Sequence, residues 1–340
     1  MESKNVEQSN NFFEILPLVN FILSLLIVMH HSFNINVDYN VELKTISWAC
    51  ERLFYNISEC AVPIFFFISA MLFFRNYQGT RAEYATKVKK RFFSIVVPYL
   101  LFNVFGYFKH LLFSGNRFDM YGFIKSIILS DTMPLWFLRE LFILVLLAPA
   151  IFYLRKHLKL NMIIIFLIWL LVILGVIRYR CFLYWLPFYL FGSFIGMKEL
   201  QNVAMCLKKR NIQYLVFSIV PIFAWFLPNS TYPMKYSGNL FFYCFRYYSI
   251  LVGILAMGLL LQKAHKVYWF MKYSFWVYCV HFPIITFVNV FFNKVPLLQD
   301  SLKIVLYFLT VILVYCLAVF LGWIIQRIVP RIWKILNGKR

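Results

Sequence analysis

The chain alternates between long apolar blocks and short polar connections, many of which are basic. An apolar block of about 20 residues is long enough to cross a bilayer as a helix. The pattern therefore predicts ten transmembrane helices. Their approximate bounds are 13–33, 60–74, 92–113, 135–154, 161–178, 182–197, 211–228, 241–261, 273–293 and 303–325. The second and sixth blocks are short for a perpendicular crossing, and residues 48–59 are available to lengthen the second.

Composition supports an all-α, polytopic membrane bundle. Hydrophobic residues make up 62% of the 340 positions and charged residues 14%. Soluble domains have about 45–50% hydrophobic residues and about 25% charged residues. No repeat and no polar stretch of domain size interrupts the blocks. We expect a tail at 1–12, one transmembrane domain at 13–325 and a basic tail at 326–340. The polar N-terminus has no cleavage site for a signal peptide, so we expect the first block to be retained.

The basic residues predict the orientation of the bundle. With the N-terminus in the cytoplasm, 22 of the 34 Lys and Arg residues fall on the cytoplasmic side, as the positive-inside rule requires. Both termini are then cytoplasmic. Because the net charge of +21 is divided among short loops, it does not indicate nucleic-acid binding. The seven cysteines form no CxxC pair, so we expect neither a disulfide framework nor a metal site.

Polar side chains inside the apolar blocks are the candidates for function, because they are costly in a membrane. They are His30 and His31 at the end of the first block, Arg139 and Glu140, Arg246 and His281. Ordinary structural roles compete with functional ones. The position of His30 is also typical of a residue at the membrane interface. His281 is also in a position typical of a residue that forms a hydrogen bond between helices. Since neighbouring helical positions point about 100° apart, we expect Arg139 and Glu140 each to need a partner from another helix.

Six fragments, taken together and in order, resemble the bacterial acyltransferase 3 family of membrane O-acyltransferases that modify polysaccharides and cell-surface glycans. The fragments are LPLVNFILSLLIVMHHS, AVPIFFFISAMLFF, KKRFFSIVVPYLLF, PLWFLRELFILVLLAP, LPFYLFGSFIG and SFWVYCVHFPI. The resemblance covers residues 13 to 325. It departs at Asn20, where the family usually carries Arg eleven positions before its His. The second Arg of the family's basic loop is replaced by Ser94, and Ala70 follows Ser69 where Gly is usual.

The resemblance implies a membrane enzyme that uses an acyl-coenzyme A donor, most simply acetyl-coenzyme A, and no metal. His31 matches the family's key histidine and is the predicted general base. Positions 20 and 31 lie on nearly one helix face about 16 Å apart, so a long donor fits along it. The remaining predicted roles are donor binding by Asn20, Lys89, Lys90 and Arg91; catalysis by Arg139 and Glu140; and acceptor binding by Trp136, His281, Arg246 and His30.

The leading hypothesis is an O-acyltransferase of the bacterial cytoplasmic membrane that modifies a glycan or a lipid-linked sugar. A transporter or flippase for glycan or acylated lipid is the first alternative, although no matched Gly and Pro breaks indicate paired halves. A catalytically inactive family member is the second, because Asn20 replaces Arg. The acyl group, the acceptor sugar, the oligomeric state and any partner that receives the acyl group remain open at this point.

The orientation gives a first testable prediction. Topology reporters fused after residues 82, 204 and 267 should read as cytoplasmic, and reporters within 114–130 and 230–238 as external, because Lys and Arg accumulate on the cytoplasmic side. Alkaline phosphatase and green fluorescent protein fusions make the measurement. A cytoplasmic signal at 230–238 would contradict the ten-span arrangement.

Overall fold

A computed structural model describes residues 2–32, 45–115, 117–209, 211–228, 236–262, 265–292 and 300–339, all without strands. Side chains of Glu2–Asn11, Met197, Lys198, Asp300 and Ser301 lie outside the description. The predicted all-α class is confirmed across the described ranges. The helices are α1 Glu2–His31, α2 Ile46–Ser58, α3 Ala61–Phe74, α4 Arg81–Arg91, α5 Val97–Ser114, α6 Met120–Leu129, α7 Trp136–Leu146, α8 Ala148–Lys156, α9 Leu158–Ile173, α10 Phe182–Phe194, α11 Met197–Lys209, α12 Ile212–Trp225, α13 Tyr236–Leu260, α14 Ser274–Phe292, α15 Asp300–Ile328 and α16 Pro330–Leu336.

Six helical segments are long and apolar enough to cross a membrane, which makes the chain a polytopic membrane protein. They are Phe12–His31, Ile46–Phe74, Arg81–Ser114, Tyr236–Leu260, Trp269–Phe292 and Leu302–Ile328. A seventh forms if α7 and α8 are one span bent by 60°. Within the described chain the long spans therefore number six or seven, and the predicted count of ten is not confirmed. The segment 229–235 and the side chains of Lys4, Arg210, Lys263 and Arg340, all used in the orientation argument, lie outside the description.

Three predicted spans appear as short helices, α9, α10 and α12. With 13 residues, α10 is about 20 Å long, against a hydrocarbon core of about 30 Å. Nearly every side chain from Tyr184 to Ser193 is buried. An apolar block therefore also arises when a short helix is enclosed by other helices, and the sequence pattern does not separate the two cases.

The remaining differences concern where the spans begin and bend. The second span is lengthened by α2 as predicted, to Ile46–Phe74. The third begins at Arg81, eleven residues before its apolar block, and a π-helical turn at Phe92–Val96 joins α4 to α5. Pro98 follows this turn and has no N–H to donate to a preceding carbonyl, so the helical ladder is locally irregular. The predicted tails contain helix too, since α1 begins at Glu2 and α16 lies within 326–340.

The core lies where α3 packs on α10 and α1 packs on α2, α3 and α14. Gly192 of α10 lies directly against the backbone of α3, because a Cβ atom there would overlap the carbonyl of Phe67. Phe66 stacks on Trp185 at 4.8 Å between ring centroids in the same contact. Small residues permit such close helix approach in membrane proteins, and this contact holds the helices that surround the site described below.

The close contact gives a second prediction. Gly192→Ala should destabilise the protein by about 1–3 kcal/mol, because the added methyl forces two packed backbones apart. Thermal unfolding in detergent micelles provides the measurement. Ala150→Val is the control, since Ala150 is exposed on α8 and its enlargement meets no packed neighbour. Equal unfolding temperatures for Gly192→Ala and wild type would show that α3 and α10 are not held at this distance.

Candidate active site

Three histidines from two helices come together at the C-terminal end of α1. The ring of His31 lies 4.9 Å from that of His30 and 5.2 Å from that of His281 on α14, measured between centroids. The edge of Phe282 closes the group at 5.9 Å from His31. Neutral imidazole both accepts and donates protons near neutral pH, so this cluster is the strongest candidate for proton transfer in the described chain.

His281 has one engaged and one free ring nitrogen. Its Nδ1 lies 2.7 Å from the carbonyl oxygen of Tyr278. Because a carbonyl only accepts, Nδ1 carries the proton and Nε2 keeps its lone pair in the neutral ring. Nε2 is buried and has no partner among the described residues. His281 itself is completely buried, so a ring nitrogen with a free lone pair lies beside His31 in a site shielded from water.

A buried ion pair supports the other side of the cluster. Glu59, at the junction of α2 and α3, accepts a 2.8 Å hydrogen bond from Arg246 on α13. Its other carboxylate oxygen lies 3.9 Å from Nε2 of His30. The Nδ1 atom of His30 lies 2.9 Å from the hydroxyl of Ser58, and its ring stacks on Tyr55 at 4.1 Å. His30 is thus held by its hydrogen bond to Ser58 and its stack on Tyr55, with the Glu59 carboxylate nearby.

Arg246 sits inside an aromatic enclosure. Its guanidinium carbon lies 4.5 Å from the ring centre of Phe242, 4.9 Å from Tyr184 and 4.8 Å from Trp185. Trp136 stacks on Trp185 at 5.6 Å. Cation–π contacts and the Glu59 carboxylate together offset the cost of burying this charge. Trp136 and Arg246, two predicted acceptor-binding residues, therefore belong to one aromatic group.

Arg139 and Glu140 pair with each other, and Arg139 also has the expected partner from another helix, the carbonyl of Ile128 on α6. Nε of Arg139 donates to Oε1 of Glu140 over 2.8 Å, and the same guanidinium donates to the carbonyls of Ile128 and Arg180. The side chain of Arg139 starts in the first turn of α7 and is long enough to wrap around the helix. The pair consequently joins α7 to α6 and to the segment before α10.

A cavity of about 370 Å³ extends between α1, α3, α4, α7 and α14. Asn20 and Arg91, both predicted to bind the donor, line it. Lys89 and Lys90 are exposed and do not line it. Most of the wall is apolar, as the complete lining shows: Phe13, Leu16, Pro17, Asn20, Phe65, Ile68, Ser69, Leu72, Arg91, Ile95, Phe137, Leu138, Leu141, Met271, Lys272, Ser274, Phe275 and Tyr278.

Tyr278 connects the cavity to the histidines. It lines the cavity, its carbonyl holds Nδ1 of His281, and the two rings lie 5.9 Å apart. Sequence reasoning missed Tyr278, Glu59 and Lys272 as site residues. Glu59 was detectable as a carboxylate directly before an apolar block, whereas Lys272 looked like one more positive-inside charge. Among the described residues, no three His, Cys, Asp or Glu side chains are placed to hold a metal ion.

These features define a polytopic membrane protein with a cavity that is linked to a buried histidine cluster through Tyr278. A family model described as an acyltransferase domain matches residues 18–327, nearly the whole chain. The protein therefore belongs to this acyltransferase family, and the resemblance found in the sequence is confirmed. Its membership supports a membrane acyltransferase in general. Searches of curated proteins and of solved structures gave no significant match.

The buried ion pair gives a third prediction. Arg246→Met should destabilise the protein by about 3–5 kcal/mol, because it leaves the carboxylate of Glu59 buried without its main partner. Chemical unfolding in micelles provides the measurement. Adding Glu59→Gln should recover part of the loss, since the unpaired charge is then removed.

Arg180→Met is the matched control, because Arg180 pairs with Asp131 over 3.4 Å while both side chains are at least 40% exposed. Exposed pairs contribute about 0–1 kcal/mol. If Arg246→Met lowers the free energy of unfolding by no more than Arg180→Met does, the buried pair does not support the fold.

Proposed function

We propose that the protein is a membrane O-acyltransferase that moves an acyl group, most simply acetyl, from acyl-coenzyme A to a hydroxyl of a glycan or lipid-linked sugar. One observation carries the proposal. The cavity has a cation and an amide at Arg91 and Asn20, and it reaches Tyr278, which holds a buried histidine beside His31. An anionic, elongated donor with a reactive group at its far end matches this arrangement.

The proposed donor lies along α1. Its charged head is near Arg91 and Asn20, and its neutral arm follows the apolar wall past Phe137 towards Tyr278. The distance along α1 from Asn20 to His31 is about 16 Å. Enclosure in an apolar cavity keeps water from the thioester and strengthens electrostatic interactions at the reacting group. This placement explains why the cavity and the histidines share one helix face.

His31 is the proposed general base. It takes the proton from the acceptor hydroxyl as that oxygen forms a bond to the acyl carbonyl carbon. The carbon–sulfur bond of the thioester then breaks, and the sulfur leaves as a thiol after the protonated histidine returns the proton. His281, whose ring lies 5.2 Å from that of His31 and whose Nε2 has no partner among the described residues, is the proposed second carrier of the proton. His30 is fixed by Glu59 and Ser58 and orients the neighbouring His31.

Trp136 is the proposed platform for a sugar ring, since aromatic faces bind the apolar faces of sugars. Arg139 was predicted to act in catalysis, where a guanidinium can stabilise a developing oxyanion. Its contacts with Glu140 and two carbonyls occupy most of its five N–H donors, which favours a role in positioning the loops around Trp136. We place the enzyme in the bacterial cytoplasmic membrane with several spans, where a glycan or lipid-linked acceptor is accessible.

The assignment of His31 gives a fourth prediction. His31→Ala should reduce acyl transfer by about 10²–10⁴-fold, the usual cost of losing a general base, while the protein stays folded and membrane-inserted. His30→Ala should have a smaller effect. Transfer of label from radioactive acetyl-coenzyme A to glycan in membrane vesicles is the measurement, with chromatography of intact protein as the folding check.

His110→Ala is the control, because His110 is exposed on α5. Full activity in both His31→Ala and His30→Ala would refute the assignment of the base. A wild-type protein that moves unlabelled glycan across the membrane, without transferring label, would instead indicate a transporter. A wild type that does neither would indicate an inactive family member.

A further inference from the structure

The cavity carries two cations that come from separate elements. Arg91 is the last residue of α4, and Lys272 lies in the 3₁₀ turn Trp269–Tyr273 that precedes α14. Both line the cavity, and none of its described lining residues is a carboxylate. Across the described chain, neither cation takes part in an ion pair. The cavity therefore has an excess positive charge that the described protein does not neutralise.

The surroundings of the two cations indicate the kind of ligand. Arg91 is only partly exposed, whereas Lys272 is exposed, so a ligand that enters the cavity can reach both cations. Asn20 of α1 lines the same cavity and offers amide N–H donors without charge. The rest of the wall is dominated by aromatic and aliphatic side chains. This combination suits a molecule with an anionic head and a long neutral arm.

The positive-inside rule alone explains why a lysine occurs near position 272. It does not explain why that lysine lines the cavity. Lys89 and Lys90, in the turn of α4 just before Arg91, satisfy the same rule and are exposed outside the cavity. Of these cations, only Arg91 and Lys272 lie where a molecule in the cavity can meet them. The contrast separates charges that set orientation from charges that can bind a ligand.

We infer that Lys272 is a donor-binding residue that acts with Arg91 on the phosphate groups of the acyl donor, while Asn20 contributes an uncharged hydrogen bond. The identity of the donor rests on the proposed function. A lysine ammonium is a compact, mobile charge suited to the cavity opening, and an arginine guanidinium forms a rigid fork that binds phosphate oxygens in pairs. Lys272 thus supplies a charge that α1, with Asn20, does not.

The test is equilibrium binding of radioactive acetyl-coenzyme A to full-length protein in phosphatidylcholine nanodiscs. Lys272→Met and Arg91→Met should each raise the Kd about 10-fold or more, because each removes a charge-assisted hydrogen bond to phosphate. Lys272→Arg should stay close to wild type. Lys209→Met is the control, because Lys209 is exposed on α11 and does not line the cavity, and it should change the Kd less than about 2-fold.

Two further measurements separate phosphate binding from a structural effect. S-acetylpantetheine has the arm and thioester but no phosphate on the arm, so its Kd should be the same in wild type and Lys272→Met. Adding Asn20→Arg to Lys272→Met returns a cation to the cavity and should recover most of the lost affinity for acetyl-coenzyme A. If Lys272→Met lowers the affinity for both ligands equally, Lys272 only supports the fold, and the inference is overturned.

An anionic lipid headgroup is the other source of phosphate. If Lys272 binds lipid instead, Lys272→Met should lower the retention of phosphatidylglycerol and leave the Kd for acetyl-coenzyme A unchanged, which also overturns the inference. Failure of the proposed function looks different. If the wild-type protein binds no acetyl-coenzyme A, the proposed identity of the donor is refuted. If the wild type transfers acetyl groups normally and Lys272→Met has the same Kd as wild type, only the role of Lys272 is refuted.

Discussion

The site depends on the requirement that a charge inside an apolar bundle must find its partner within the protein. Glu59 and Arg246 meet this requirement over 2.8 Å, and both side chains are at most 10% exposed. Their bond ties the junction of α2 and α3 to α13. The second oxygen of Glu59 lies 3.9 Å from His30, so the ion pair stands directly beside the end of α1. The histidine cluster is therefore next to the buried ion pair.

Two helices, α1 and α14, contain both residues that line the cavity and histidines of the cluster. On α1, Asn20 and His31 are eleven residues apart and share nearly one face. On α14, Ser274 and Tyr278 line the cavity, and His281 follows at the next turn of the same face. Because α1 packs on α14, the two faces meet. Under the proposed function, a donor held between them would lie along both helices with its thioester towards His31 and His281.

A group of aromatic side chains surrounds Arg246 next to the site. Trp136, Trp185 and Phe66 stack in sequence at 5.6 and 4.8 Å, and Trp185 also faces Arg246. Large rings fill the space between helices without adding polar atoms that need partners. They let a guanidinium remain buried where water is excluded. The same rings bring Trp136 to the edge of the group, where a sugar is proposed to stack.

The sequence by itself determined the membrane class, the helical fold and the family, because apolar block length and ordered local fragments are properties of the chain alone. It also identified His31, His281 and Arg246 as costly polar groups. It did not distinguish the short, enclosed α10 from a span, since both are equally apolar.

The tertiary structure alone decided the partners of the polar groups. It paired Arg246 with Glu59, wrapped Arg139 around to Glu140, and placed Lys272 in the cavity while leaving Lys89 and Lys90 outside. Such choices depend on which helices pack together and how far each long side chain reaches. Helical periodicity gives the direction in which a side chain leaves its own helix, but it contains no information about what lies opposite.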